Sequence, residues 1–274
     1  MGDMSEQVLK LIAPYTGAVR SVVPIQAGYR ADVTLSVRAA EGRFFVKSFE
    51  ETNPDAADPR EVAISGYLRG VSPALVGYVR TDSLMVLVYE HVEGRHANLS
   101  PGSADIAHTA TLVDEVGRIE LPSSDQWRHR SWKGIATADE VALLDGTCLL
   151  HSDINPTNVL VKDGRAWLVD WSSPTVGAAV INLGELVTQL IAAGNDPEQA
   201  ERVVEGCEAW RRADRETVDT LATVLLRMHR KWERDRPGWR ERFPVGSWLW
   251  CISPAVEDWA EYRGVTDRAT KPTD

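Results

Sequence analysis

The stretch LLHSDINPTNVLVKDGRAWLVDW, Leu149 to Trp171, decides how this chain is read. Two short apolar runs, Val159 to Lys162 and Ala166 to Val169, flank Asp163-Gly164. Asp-Gly between alternating apolar residues is a strong hairpin signal, because both turn positions need positive φ. Polar residues frame the hairpin: His151, Asp153 and Asn158 before it, Asp170 at its exit. A hairpin returns the chain to where it began, so Asn158 and Asp170 are expected side by side despite the twelve positions between them. Their carbonyl and carboxylate oxygens suit a hard cation such as Mg²⁺, which keeps several waters and takes phosphate oxygens as further ligands. Asp153, on the preceding loop, can then stand on the far side of a transferred phosphate and accept a hydroxyl proton. The same residue types are also ordinary turn formers, so support has to come from elsewhere in the chain.

Composition narrows the field. The chain has 274 residues with 43% hydrophobic and 26% charged content, which fits a globular protein of one large domain or two lobes. A formal net charge of -10 disfavours nucleic acid and anionic membranes as partners. Cys148, Cys207 and Cys251 show neither CxxC nor Cys/His spacing, which argues against a zinc site or a disulfide framework and for a reducing, cytoplasmic setting. The N-terminal MGDMSEQVLK lacks a basic region followed by an apolar one, so no signal peptide is expected. No apolar run approaches membrane-spanning length.

The first ninety residues read as strand-rich. Residues 20–28, 32–49, 73–81 and 83–92 carry strand patterns, with a hairpin turn at AAEG. Between them, PREVAISGYLRG reads as a helix from Pro59 to Gly70. After Gly94 the character becomes helical, with helices expected within 103–121 and over 181–194, 197–213 and 216–234. The expected architecture is α+β. Residues 1–91 form a small antiparallel β-sheet lobe with one main helix, and residues 92–274 a larger, mostly helical lobe.

The order His151-Ser152-Asp153, four residues, Asn158, then a hairpin ending in Asp170 resembles the catalytic loop and metal-binding Asp of the protein-kinase-like fold. Its wording is most similar to the aminoglycoside phosphotransferase branch, which commonly shows His-Gly-Asp-Leu-His-Pro-Gly-Asn-Val-Leu here. The resemblance implies two lobes forming one kinase-like domain and a set of roles. Asp153 is the catalytic residue; Asn158 and Asp170 hold Mg²⁺; His151 braces the loop. Lys47, in the strand FFVKSF, touches the nucleotide phosphates and is held by Glu61, fourteen positions on. Gly28 and Tyr29 stand where the phosphate-covering loop belongs, although that loop has one glycine rather than three. In LVYEHVEGR, backbone groups of Glu90 and Val92 bond the purine edge and Tyr89 backs its pocket. The bulk of Tyr89 narrows the adenine slot, so GTP as well as ATP is an expected co-substrate.

Departures from the pattern sort the possibilities. Ser152 replaces the Arg of His-Arg-Asp, Trp171-Ser172 replaces Phe-Gly, and no Ala-Pro-Glu segment follows, which argues against a protein kinase. Asn182 stands where the antibiotic kinases have an Asp that braces the catalytic loop, and an amide supplies no charge. The resemblance implies an antibiotic O-phosphotransferase, of aminoglycoside or nucleoside type, with a role in resistance. A kinase of choline, a sugar or an amino alcohol is the alternative, and a non-catalytic nucleotide-binding scaffold a further one. The acceptor is a small molecule with a free hydroxyl, and a monomer or homodimer is expected. Six of ten tryptophans follow residue 200, beside several acidic groups. Glu208, Trp210 and Glu257 are therefore candidates for acceptor binding, although such tryptophans also fill helical cores.

Overall fold

Apolar-polar alternation in the first ninety residues produces one five-stranded antiparallel sheet. The structure is a computed structural model that describes residues 3–25, 31–53, 59–122 and 127–266. A helix, α1 (Asp3–Thr16), leads into β1 (Val19–Pro24), β2 (Val33–Ala39) and β3 (Gly42–Glu50). The short helix α2 (Pro59–Ile64) precedes β4 (Leu75–Arg80) and β5 (Leu84–Glu90), and the sheet order is β1-β2-β3-β5-β4. Alternate residues point to opposite faces. One face buries Leu35, Val37, Val46, Val86 and Val88 against Val8 and Ile12 of α1. The other carries Phe49, Met85 and Leu87, with Val62, Tyr78 and Tyr89 packed on them.

Two features here differ from the expectation. Helix α1 was not anticipated; its Val8 and Ile12 are fully buried, one turn apart, behind an N-terminus that reads as polar. Its last turn seats Tyr15 on Gly77, where a Cβ would come within 2.5 Å of the Tyr15 ring. The helix expected from Pro59 to Gly70 stops at Ile64 and continues as a 3₁₀ turn over Ser65–Tyr67. There the Ser65 hydroxyl donates to the Val62 carbonyl (2.7 Å), a local bond of the kind that competes with helix propagation.

The chain divides into two compact units: residues 1–93 with 169–173, and residues 94–168 with 174–274. The second unit holds β6 (Arg95–His96), α3 (Asp105–Gly117), α4 (Ala138–Leu143) and β7 (Cys148–Leu150). Then come β8 (Val159–Lys162), β9 (Arg165–Leu168) and β10 (Thr175–Gly177), followed by α5 (Val180–Ala192) and α6 (Pro197–Val204). The chain closes with α7 (Glu208–Arg212), α8 (Arg215–Asp235) and α9 (Trp248–Tyr262). Strands β8 and β9 form the expected hairpin, and β6 adds to β8. Its turn residues Asp163 (φ 50°) and Gly164 (φ 75°) both lie in the left-handed region, as a type I′ turn requires. The single helix expected over 197–213 is two, α6 and α7, interrupted at Glu205–Cys207 around Gly206. Helix α5 is the buried axis of this unit, packed by α3, α6, α8 and α9. Among the described residues no helix is long and apolar enough to cross a membrane.

Candidate active site

The candidate catalytic loop belongs to the second unit. Strand β7 delivers it, paired antiparallel with β10 in the register Leu149↔Val176 and Leu150↔Thr175. His151 is fully buried. Ser152 adopts φ 68°, a left-handed conformation that costs a non-glycine residue roughly 1–2 kcal/mol. Its hydroxyl shares a hydrogen bond with the Thr175 hydroxyl (2.7 Å). After this turn Asp153 is exposed, between half-buried Ser152 and buried Ile154.

Two amides then hold the Asp153 carboxylate. Asn155 Nδ2 donates to Oδ1 (3.0 Å) and Asn158 Nδ2 to Oδ2 (3.1 Å). Both also donate to the Asp153 backbone carbonyl, at 3.2 and 2.9 Å. Asn155, which the sequence reading did not single out, caps the 3₁₀ turn Pro156–Asn158. Its Oδ1 accepts from the Thr157 N–H (2.9 Å) and hydroxyl (2.6 Å). The signal was present in Asn155-Pro156, a cap residue followed by proline at the first helical position. With the Asn158 amide nitrogen committed to Asp153, its oxygen is the end turned away from that carboxylate.

Asn182 is bonded to the strand end that leads into this loop. It lies fully buried in the first turn of α5. Its Oδ1 accepts from the His151 N–H (3.2 Å) and its Nδ2 donates to the Leu149 carbonyl (3.0 Å). The amide bridges two backbone groups of opposite polarity, which an ionised carboxylate cannot do because it only accepts.

The first unit carries a separate polar group. Lys47 projects from β3 opposite Leu87 of β5, and its ammonium meets Asp170 Oδ1 at 2.6 Å. Asp170 has φ 63°, so one of the three non-glycine residues with positive φ among those described is a candidate site residue, and a second, Ser152, adjoins Asp153. Backbone strain of this kind clusters at functional sites. The expected Lys47–Glu61 contact is not what the structure shows for Glu61. The Tyr89 hydroxyl donates to Glu61 Oε1 (2.5 Å), and Glu61 Oε2 is buried with no hydrogen-bond partner among the described residues. Burial, with the Glu61 carboxylate beside it, pushes the Tyr89 phenol well above its ordinary value, so it remains a donor.

At the end of β5 the Glu90 N–H is committed to the Ala74 carbonyl (2.9 Å). Val92 follows in the connecting segment and is partly buried. Gly28 and Tyr29 lie outside the described residues.

The three candidate acceptor residues have different surroundings. Glu208 is engaged by Arg118 (3.0 Å) and Arg212 (2.5 Å), and its N–H donates to Asp114. Glu257 lies on the surface of α9 beside Arg230 (3.5 Å). Trp210 lines a cavity of about 430 Å³ with Glu201, Asp214, Tyr262 and Arg263. Glu201 is committed there to Trp259 and Arg263.

Among the described residues no group of three or more His, Cys, Asp or Glu side chains is arranged to hold a metal. By type alone, the amide oxygen of Asn158 and the carboxylate of Asp170, which belong to different units, are donors that a hard cation such as Mg²⁺ accepts.

The architecture is that of the protein-kinase-like fold, an N-terminal antiparallel sheet unit followed by a helical one. Among solved structures the chain is similar to an aminoglycoside phosphotransferase from Alicyclobacillus acidocaldarius, with a TM-score of 0.65 and 13% identity over 93% of this chain and 94% of that one. It is also similar to the choline kinase LicA from Streptococcus pneumoniae, with a TM-score of 0.60 and 15% identity over 94% and 99% of the two chains. A spectinomycin phosphotransferase in complex with ADP and spectinomycin gives a TM-score of 0.59 and 12% identity over 92% and 98%. No family model matches the sequence. No curated protein matches it either.

Proposed function

We propose that this chain is a small-molecule kinase that moves the γ-phosphoryl group of ATP or GTP to a hydroxyl of a small acceptor. The observation that carries the reading is Asp153: an exposed carboxylate on a strained loop, oriented by amide donors at both oxygens. Such an arrangement positions an acceptor for a hydroxyl proton at small entropic cost. The nucleotide is supported by the likeness to the ADP-bound spectinomycin phosphotransferase.

In this reading Asp153 aligns the acceptor hydroxyl and takes its proton late, as the new oxygen–phosphorus bond forms and the bond to the nucleoside diphosphate breaks. Lys47 places a positive charge on the α- and β-phosphates, and Glu61 is its holder. Backbone groups of Glu90 and Val92 bond the purine edge; because the Glu90 N–H is used within the sheet, its part falls to the carbonyl. Asn158 Oδ1 and the Asp170 carboxylate would hold Mg²⁺, which supplies neutralisation of charge on the phosphates. Most of the rate gain then comes from positioning and fixed charge.

A small acceptor is favoured over a peptide. Ten positions after Asp170 the chain has already entered α5, and β10 in between is paired with β7. No segment of activation-loop length remains for docking a protein. An antibiotic acceptor, with a role in resistance, is supported by the phosphotransferase neighbours. An amino-alcohol acceptor is supported by the choline kinase. Glu208 and Glu257 already face arginines, which weighs against a cationic sugar held by those two groups.

Incubation with Mg²⁺, ATP or GTP and a panel of antibiotics and metabolites tests the reading. One acceptor is expected to gain the mass of a phosphoryl group. Asp153→Ala should abolish the gain and keep nucleotide binding. Transfer retained by that variant would remove Asp153 from its role.

A further inference from the structure

Helix α2 is six residues long, and an isolated helix of that length does not hold itself together in water. Its placement must come from tertiary contacts. Ile64 is fully buried, and Val62 packs with Leu87 and Tyr89 on one sheet face. A polar tie between this helix and the sheet is the bond from the Tyr89 hydroxyl to Glu61 Oε1 (2.5 Å).

The register places the partners together. Tyr89 lies opposite Phe45, and Lys47 opposite Leu87. Tyr89 and Lys47 are therefore diagonal cross-strand neighbours on one face, within reach of long side chains. Glu61 is 3% exposed, so each of its carboxylate oxygens has lost most of its water. One oxygen is satisfied by Tyr89; the other, Oε2, has no hydrogen-bond partner among the described residues. A phenylalanine would keep the ring on the Phe49, Met85 and Leu87 cluster without supplying a donor.

We propose that Tyr89 is a positioning residue whose hydroxyl fixes the Glu61 carboxylate, and with it helix α2, so that Glu61 Oε2 is held ready for the Lys47 ammonium. Lys47 rests on Asp170 in this structure. When phosphates and their counter-charge engage Asp170, Lys47 exchanges that partner for the waiting oxygen. Tyr89 thus acts on the nucleotide through Glu61 and not by touching the base. This assignment rests on the kinase reading above.

The test is a double-mutant cycle of Tyr89→Phe and Glu61→Ala in the full chain. Nucleotide affinity is measured calorimetrically with MgATP and MgGTP, alongside kcat and the KM for nucleotide at a saturating concentration of whichever acceptor the panel above finds. A hydrogen bond to a charged group is at stake, so Tyr89→Phe should weaken nucleotide binding and raise KM about tenfold. Its kcat should stay within about threefold, because the lost interaction bears on ground-state and transition-state binding alike. In the Glu61→Ala background the same change should have no further effect. An equal loss in both backgrounds, or tighter binding by Tyr89→Phe, overturns the proposal.

Amide hydrogen exchange over Glu61–Ile64 in the nucleotide-free protein gives a second readout. Tyr89→Phe should speed it about tenfold, as local opening becomes easier. Unchanged exchange in a variant with the wild-type melting temperature also overturns the proposal. If the wild-type protein binds no nucleotide, the kinase reading fails, and the exchange data alone decide whether Tyr89 clamps α2.

Discussion

Asn182→Asp would restore the residue that antibiotic kinases commonly place here, and we expect it to destabilise this protein in a pH-dependent way. The wild-type amide accepts from the His151 N–H (3.2 Å) and donates to the Leu149 carbonyl (3.0 Å) with no solvent exposure. A protonated Asp reproduces both bonds, its hydroxyl donating where the amide did. An ionised Asp loses the donor, faces the Leu149 carbonyl with a negative charge and has no water. Its folded pKa is therefore raised above the unfolded value near 3.9. The unfolded chain releases the proton first, so stability falls as pH rises above about 4 and levels off once the folded carboxyl ionises. The slope is about 1.4 kcal/mol per pH unit, and from about pH 4 to pH 7 the ceiling is roughly 4 kcal/mol. For a domain of this size that lowers Tm by about 8–16 °C at pH 7.

Thermal unfolding of both proteins from pH 4.5 to pH 8 reads this directly. The two curves should nearly coincide at the acid end and diverge steadily toward neutrality. Asn182→Ala loses both bonds at every pH and should show a constant offset. An Asn182→Asp protein as stable as wild type at pH 7.5 would refute the two-sided brace.

Three further outcomes follow from the same loop and its unit. Asn155→Asp keeps the cap on Thr157 but replaces the donor to Asp153 with a like charge. It should stay within about 1 kcal/mol of wild-type stability while losing most transfer activity, whereas Asn155→Ala loses both. Wild-type turnover by Asn155→Asp would show that Asp153 does not need the Asn155 amide. Ser152→Ala keeps the left-handed strain and loses the Thr175 contact, while Ser152→Gly relieves the strain. Denaturant titration should find the glycine variant more stable than the alanine variant by about 1 kcal/mol. Burial in the helical unit, with Arg130 beside it, pushes the His229 imidazole down to about 4. Its stabilisation is complete above the unfolded value near 6.5 and is lost as pH falls toward 4, roughly 3 kcal/mol in all. His229→Gln can keep the contact with Ser253 (3.2 Å) and should flatten that acid limb of the stability curve. An unchanged acid limb would point to other groups.

Local structure is legible in the sequence where a short-range rule governs it. The Asp163-Gly164 turn follows from two adjacent residues and the alternation beside them. The strands of the first unit follow from their apolar runs, continuous in β5, and α5 and α8 from apolar residues at helical spacing. Boundaries failed where a side chain competed with the backbone, as at Ser65, or where glycine interrupted an otherwise helical run, as at Gly206. Helix α1 was missed because its signal is Val8 and Ile12 meeting a sheet that forms later in the chain.

By itself the sequence determined the chemical inventory: an Asp, an Asn and a second Asp at kinase-like spacing, with a Lys in an apolar strand upstream. Residue types and local periodicity are enough for that, because they depend on neighbours a few positions away. Tertiary structure alone decided which groups are partnered. Lys47 meets Asp170 across 123 positions, the Tyr89 hydroxyl meets Glu61 across 28, and Asn182 spans a donor and an acceptor 31 and 33 positions earlier. Those choices are made by desolvation. Once such groups leave water, each must find the complementary atom that the fold brings within about 3 Å, and no spacing rule in the chain specifies that atom in advance.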